Sequence, residues 1–335
     1  MIFDKYELLP LVIDLFAGNT NVTTDTGLTD EMKTFYSDYL IDMAEPELVH
    51  DQFGQKHPIP KNGGKQIEFR KWDSLPKALT PLTEGVTPDG QKMTMSVITA
   101  AVKQYGGFVE LSDMLILTAI DNNMVQATRM IGSQAGRTLD TVTREVLNGG
   151  TNVLYGGLKE SRAELVGGQE TGNDYLTVDL IRRAVRSLKV MNTPRINGGY
   201  VGIIHPDCAY DLMSDPEWQA PHQYVDTENI YAGELGRIAG VRFVEATEAK
   251  VFAGEGAGGR DVYSTLILGA DAYGTTEITG GGLEHIVKQL GSGGTTDPLN
   301  QRATVGWKAT KVAERLVEQY MIRIETASTF AVGAN

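Results

Sequence analysis

The chain has 335 residues, 41% of them apolar and 22% charged, enough for a sizeable core and too apolar for wholesale disorder. Acids outnumber bases 43 to 30, and the net charge of −13 excludes a dedicated nucleic-acid-coating surface, though not a protein that merely encloses nucleic acid. The single cysteine, Cys208, excludes a disulfide framework and a multi-cysteine metal site, and points to folding in a reducing compartment.

The length suits two sub-structures, or one domain with a large insertion. The opening MIFDKYELLPLVIDLF carries Asp4, Glu7 and Asp14 where a signal peptide needs a basic start. No signal peptide is therefore expected, and no apolar run reaches the roughly 18 residues that cross a bilayer. Residues 1 to about 55 read as an arm. Its segment FAGNTNVTTDTGLTD is small and polar, and a helix is expected from Asp30, with Met32, Phe35, Tyr36, Tyr39, Leu40 and Met43 on one face. FGQKHPIPKNGGK then breaks any regular element.

KQIEFRKWD (65–73) alternates as a strand, with Ile67, Phe69 and Lys71 facing one way and Glu68, Arg70 and Trp72 the other. The return strand, MTMSVITAAVKQYGGFVELSD, is rich in β-branched and aromatic residues, and Gly106-Gly107 suggests a bulge or bend in it. Between the strands lies TPLTEGVTPDGQKM (80–93), polar and without period. The simplest geometry is a long hairpin with a loose tip. Ten or more residues at about 3.3 Å each reach beyond about 30 Å. A two-stranded ribbon alone is barely stable in water, so one this long needs something to lie on. An enzyme lid, a binding loop and an arm to a neighbouring subunit all fit the pattern.

The longest helical pattern runs over 122–148, with Met124, Ala127, Ile131, Ala135, Leu139, Val142 and Val146 spaced by three or four and Gly149-Gly150 as a stop. Gly132 and Gly136 lie inside it, where each costs about 1 kcal/mol relative to Ala and admits close approach by another backbone. Residues 151–176 are Gly-rich and irregular. A helix is expected after the N-cap Thr177, burying Val178, Ile181, Val185 and Leu188, with Leu176 and Ile181 placed as a hydrophobic staple. Strands are expected at YVGIIH, VRFVEA and VYSTLILG, with a short helix at PDCAYDLM. After EHIVKQLG and a Gly/Thr-rich loop come strands at ATVGWKATKVA and QYMIRIETAS. In the last, Met321, Arg323 and Glu325 alternate with Ile322, Ile324 and Thr326.

No catalytic constellation emerges. His205 and Cys208 have ligand-like spacing, but no further ligands accompany them. GEGAGGR (254–260) lacks the GK[ST] ending of a phosphate loop and sits between strands. The glycines of GGYVGIIHPD precede a strand, where a dinucleotide fold needs them after it. The five histidines are scattered, and acids such as Glu245 and Glu248 read as solvated. No catalytic residue, metal or cofactor is expected. What remains is an arm, a polar-tipped ribbon, a rod helix and a looped α+β lobe. Projections with exposed edges make energetic sense when neighbouring subunits cover them.

KQIEFRKWDSLPKALTPLTEGVTPDGQKMTMSVITAAVKQYGGFVELSD (65–113), GSQAGRTLDTVTREVLNGGTNVLYGG (132–157) and GELGRIAGVRFVEATEAKVF (233–252) resemble one family of tailed-bacteriophage major capsid proteins, that typified by N4-like podophages. The likeness covers about residues 30–330, and the block 80–92 is its most specific part. It implies an α+β fold of the Hong Kong 97 type, with an N-terminal arm at 1–57 and an extended two-stranded loop at 58–108. A peripheral domain at 109–176 would hold the spine helix 122–148, an axial domain would occupy 177–280, and 281–335 would return to the peripheral domain. It also implies self-assembly through pentamers and hexamers into an icosahedral shell enclosing double-stranded DNA without sequence-specific binding. Arm and loop would lie on neighbouring subunits, and Lys77, Glu84, Asp89 and Lys92 at the loop tip are the expected inter-subunit contacts. Scaffold, portal and decoration proteins are further possible partners, with a separate scaffold or none expected because the arm begins almost at once. The resemblance further implies no membrane partner and a location in the virion, with the host cytoplasm during assembly. An encapsulin-like compartment shell is the nearest alternative, and a hydrolase with a ribbon lid is the alternative of another class.

Overall fold

A computed structural model describes residues 49–58, 66–72, 75–87, 89–118, 123–167, 174–218, 236–276, 283–294 and 297–330. The expected helix from Asp30 and most of the expected arm lie outside the described residues. The strands are β1 (Gln55–His57), β2 (Gln66–Trp72), β3 (Met95–Ala101), β4 (Lys103–Ser112), β5 (Val153–Tyr155), β6 (Tyr200–Ile204), β7 (Arg237–Ile238), β8 (Val241–Glu245), β9 (Val251–Phe252), β10 (Val262–Leu268), β11 (Tyr273–Thr276), β12 (Leu283–Lys288), β13 (Arg302–Lys311), β14 (Ala313–Arg315) and β15 (Met321–Thr326). The helices are α1 (Asp113–Thr118), α2 (Asn123–Asn148), α3 (Val178–Val190) and α4 (Pro206–Met213). No helix among the described residues is long and apolar enough to cross a membrane.

A seven-stranded mixed sheet runs β5-β15-β10-β6-β8-β7, with β9 added to β10. Helices α3 and α4 cover one face, where Ile181, Val185, Leu188 and Leu212 pack on Tyr200, Ile204, Val241, Phe243, Ile267 and Ile324. α3 forms where expected. The Thr177 hydroxyl accepts from the Leu180 amide, and the buried positions fall at helical spacing. On the sheet's other face, Ile203, Leu266, Leu268 and Met321 pack on Leu147 of α2 and on Tyr273.

The second layer is the antiparallel sheet β12-β13-β4, with α2 across its inner face. Ala127, Ile131, Ala135 and Leu139 meet Leu111, Leu283, Val305, Trp307 and Ala309, and Trp307 Nε1 donates to Gln134 Oε1 at 3.2 Å. The buried face of α2 is wider than its apolar residues foretell, because Thr128, Gly132, Gly136, Asp140, Thr143 and Asn148 are buried too.

Two expectations are corrected. Gly106-Gly107 makes no bulge: β4 pairs with β13 in unbroken register from Lys103↔Lys311 to Ser112↔Arg302. The glycines serve close packing instead. A Cβ on Gly106 would lie 2.8 Å from the Trp307 carbonyl oxygen, and one on Gly107 would lie 2.9 Å from Gln134 Oε1. The break falls at Val102, so the ribbon consists of β2 and β3 alone, with seven residue pairs from Gln66↔Ala101 to Trp72↔Met95. Its paired length is about 23 Å.

The alternation in β15 does not mark a solvated face. The strand lies between β10 and β5, and Glu325 is fully buried. Its carboxylate is held by Arg162, with Nε to Oε2 and Nη2 to Oε1 both at 2.7 Å. Strand pairing also crosses the boundary expected at residue 281, since β15 joins the sheet of β6, β8 and β10.

Candidate assembly surfaces

The ribbon is fixed at its base and free at its tip. Ile67, Phe69 and Ala100 pack with Val312, and Phe69 lies edge-on to His57 with centroids 5.0 Å apart. Gly274 makes this possible, because a Cβ there would sit 2.5 Å from Phe69 Cε1. β1, immediately before the ribbon, pairs in parallel with β11.

A buried polar cluster holds the chain just before the ribbon. Lys311 Nζ donates to Asp51 Oδ1, and to Thr275 Oγ1 at 2.6 Å. Thr275 and Thr143 also donate to Asp51 Oδ1, at 2.6 and 3.1 Å. Tyr273 donates its hydroxyl to the His50 carbonyl. Burial pushes the Lys311 ammonium below its ordinary range, and Asp51 opposes that shift. Burial likewise pushes the Tyr273 phenol well up.

Beyond the base, residues 75–87 and 89–94 are exposed and have no helix or strand. Lys77, Glu84, Asp89 and Lys92 all lie in this segment. Their side chains make no hydrogen bond or ion pair among the described residues, so the structure brings none of the four together. The sequence reading stressed charge and missed the apolar content. Leu79 and Leu82 are 82% and 78% exposed, and Leu75, Val86 and Met93 are exposed beside them. The missed signal is the composition: leucine, valine and methionine recur in a stretch with no period to bury them.

Other exposed apolar side chains gather at and after β4. α1 buries none of its six residues, leaving Met114, Leu115, Ile116 and Leu117 exposed, and Phe108 on β4 is 73% exposed. Isolated apolar residues on a surface are ordinary, but runs of them mark interaction sites.

The residues weighed as chemical candidates have structural roles. His205 caps α4, its Nδ1 accepting from the Asp207 amide at 3.2 Å. Burial lowers its pKa, opposed by Asp207. Cys208 is fully buried, with Sγ 3.7 Å from Thr326 Oγ1, and burial raises its thiol. In 254–260, Gly254, Gly258 and Gly259 take positive φ, and the Gly256 amide donates to the Arg260 carbonyl at 2.8 Å, a tight turn. Glu248 faces Arg144 and Arg137, at 3.7 and 3.9 Å. Among the described residues, no group of three or more histidines, cysteines or acids is placed to hold a metal.

Comparison with known proteins bears on what these surfaces meet. The profile of the family described as phage capsid protein matches residues 89–289, more than half of the chain. No curated protein sequence matches it. Among solved structures, the chain is similar to the capsid of Ralstonia phage GP4 at TM-score 0.61 and 18% identity, covering 83% of this chain and 86% of that one. The capsid of cyanophage P-SCSP1u matches at TM-score 0.62 and 14% identity, over 82% and 86%. The capsid of cyanophage Pam1 matches at TM-score 0.61 and 13% identity, over 79% and 86%. These likenesses carry the fold, and the profile match carries the family. The chain belongs to the phage capsid protein family and is a structural, non-enzymatic protein of the phage shell.

Proposed function

We propose that the chain is the major capsid protein of a tailed phage, of the N4-like podophage group and the Hong Kong 97 fold, and that it assembles through pentamers and hexamers around double-stranded DNA. In this reading β2, β3 and the 75–94 loop form the extended loop, and α2 is the spine. The β12-β13-β4 sheet with α2 is the peripheral domain. The seven-stranded sheet with α3 and α4 is the axial domain, and it takes in β15 from the end of the chain. Residues up to about 57 serve as the arm. Subunits assemble in the host cytoplasm, with scaffold, portal and decoration proteins as further partners, and reside in the virion.

The observation that carries this reading is the contrast along the ribbon. Its base is buried against β11 and Val312, while the described residues of its tip, 75–87 and 89–94, are all exposed. Holding a fixed, extended conformation costs about 1–2 kcal/mol of backbone entropy per residue. An apolar segment ordered only against a neighbour recovers that cost in the shell. Charges on the tip, at Lys77, Glu84, Asp89 and Lys92, then pair across the interface and fix its register. Deletion of 80–92 tests the reading: the subunit stays folded and soluble, and closed shells do not form in electron micrographs.

A further inference from the structure

We propose that one end of the seven-stranded sheet, where the last turns of α3, the 191–199 loop and the β7-β8 turn come together, binds the phosphate backbone of double-stranded DNA. The proposal rests on the reading of the chain as a shell around DNA, and it names the side chains that touch that DNA.

The total charge of −13 hides an uneven distribution. Between Asp179 and Asp207 the sequence holds Arg182, Arg183, Arg186, Lys189 and Arg195 and no acid. Between Glu234 and Glu245 it holds Arg237 and Arg242 and no acid. The fold brings the two stretches to one place. β6 and β8 are parallel, with Tyr200 beside Val241, so the chain that leaves α3 and the turn that leads into β8 lie at the same end of the sheet. A Cβ on Gly199 would stand 2.7 Å from the Gly240 carbonyl oxygen and 2.8 Å from Arg237 Nη2. Ala239, in the turn, lines a groove of about 520 Å³ together with Arg182, Val185, Arg186, Lys189 and Val190 of α3.

Asp179 and Glu217 neutralise the start of the helix, through Arg183 at 2.7 Å and Arg182 at 2.6 Å. Arg186, Lys189, Arg195, Arg237 and Arg242 are exposed, and among the described residues none of them pairs with a carboxylate. A cation in the last turn of a helix complements its dipole, which accounts for Lys189 but not for guanidinium groups on other elements. Arg237 and Arg242 stand directly opposite each other across β7 and β8, on the face away from the buried Ile238 and Val241. Like charges so placed repel, and an anion set between them turns the repulsion into attraction.

The side chains select phosphate. Four of the five unpaired cations are arginines, whose planar forks meet two phosphate oxygens at once. The row 182, 186 and 189 runs about 10 Å along α3, and one strand of a duplex presents a phosphate about every 3.4 Å of its axis, so the row faces about three of them. The floor of the groove, Val185 and Val190, offers no donor or acceptor to a base edge, so the contact reads charge and not sequence.

The test is the fluorescence anisotropy of a short labelled duplex, titrated with the dissociated full-length subunit at rising salt. Each phosphate neutralised adds about 0.9 to the slope of log affinity against log salt. Arg186→Ala with Lys189→Ala, and separately Arg237→Ala with Arg242→Ala, are each expected to weaken binding about tenfold or more at low salt and to reduce that slope by about two. Lys308→Ala, on the other sheet, removes an exposed cation already paired with Glu284 and is expected to change neither. Acetylation of the unmodified chain needs no variant to fold: Lys189 is expected to react at least fivefold more slowly with duplex present, and Lys308 at the same rate. Either double variant binding as the parent does, Lys189 reacting equally with and without duplex, or a parent that binds no duplex overturns the proposal. Displacement of the duplex by polyglutamate at equal charge assigns the surface to an acidic protein segment, displacement by inorganic phosphate at equal phosphate assigns it to a small anion, and either overturns the proposal as well. Closed shells from a parent whose duplex binding ignores these substitutions leave the capsid reading standing with only this surface wrong, whereas a parent that forms no shells removes that reading itself.

Discussion

His50 Nδ1 lies 2.6 Å from Asp140 Oδ2, and the His50 amide donates to Asp140 Oδ1 at 2.7 Å, with both side chains 1% exposed. Ninety residues separate the two in sequence. The pair ties the segment entering the ribbon to the middle of α2, so one helix orients both the β12-β13-β4 sheet and the root of the ribbon. An exposed pair such as Arg70–Glu68, at 3.5 Å, adds no more than about 1 kcal/mol. Breaking a buried pair strands the remaining partner, at about 3–5 kcal/mol.

Asp140→Ala is therefore expected to lower subunit stability by about 3 kcal/mol. Urea denaturation of the dissociated subunit reads this directly. A loss below about 0.5 kcal/mol, the size of an ordinary surface change, would mean the pair does not hold the two segments together.

Asp51 and Lys311 make a second, independent test. Lys311→Met leaves the Asp51 carboxylate buried and should cost about 3 kcal/mol, whereas Asp51→Asn with Lys311→Met removes both charges and recovers most of the loss. The pH dependence follows from the sign of the shift. The folded chain holds the Lys311 proton more weakly than the unfolded chain, whose ordinary value is 10.5. Between the lowered folded value and 10.5 the unfolded state binds more protons, so this residue's contribution to stability rises with pH. The double variant loses that rise, and the difference between the two pH–stability curves isolates it.

His205 has the same sign at lower pH. Its folded pKa lies below the ordinary 6.5 because burial disfavours the imidazolium. Stability is fully present above 6.5 and falls as the pH drops from there toward the folded value, since the unfolded chain takes up the proton first. Protonation also ends the acceptance by Nδ1 that caps α4. His205→Asn, a good N-cap without a titrating ring, is expected to flatten the acid limb, as read by thermal unfolding between pH 7 and 5.

Phe69→Ala is expected to loosen the ribbon without unfolding the subunit. Phe69 is 2% exposed, seated over Gly274 at the base, and the helical layers do not depend on it. Amide exchange should speed up in 66–72 and 95–101 and stay slow in α2 and β15. Equal acceleration in α2 would place the ribbon base in the same cooperative unit as the core.

Elements with strong local period were legible in the sequence. α2 and the buried face of α3 follow from apolar spacing, and Thr177 and Gly149 mark their ends. What escaped was decided by distant partners. Nothing local at Val102 says that the chain turns from β3 to pair with Arg302–Lys311. Nor does the strand pattern around Glu325 and Lys311 show that both are buried, because the groups that hold them, Arg162 and Asp51, lie far away in sequence. The tip of the loop was legible as a projection. Its contacts were read as charged because Glu84 and Asp89 stand out in a polar stretch, while the structure adds the exposed leucines Leu75, Leu79 and Leu82.

The most direct measurement is electron microscopy of the chain lacking 80–92 beside the full chain, after size-exclusion chromatography. The account predicts closed shells from the full chain, and from the deletion a folded subunit whose circular dichroism matches the full chain but which forms no closed shells. Normal shells from the deletion would contradict it.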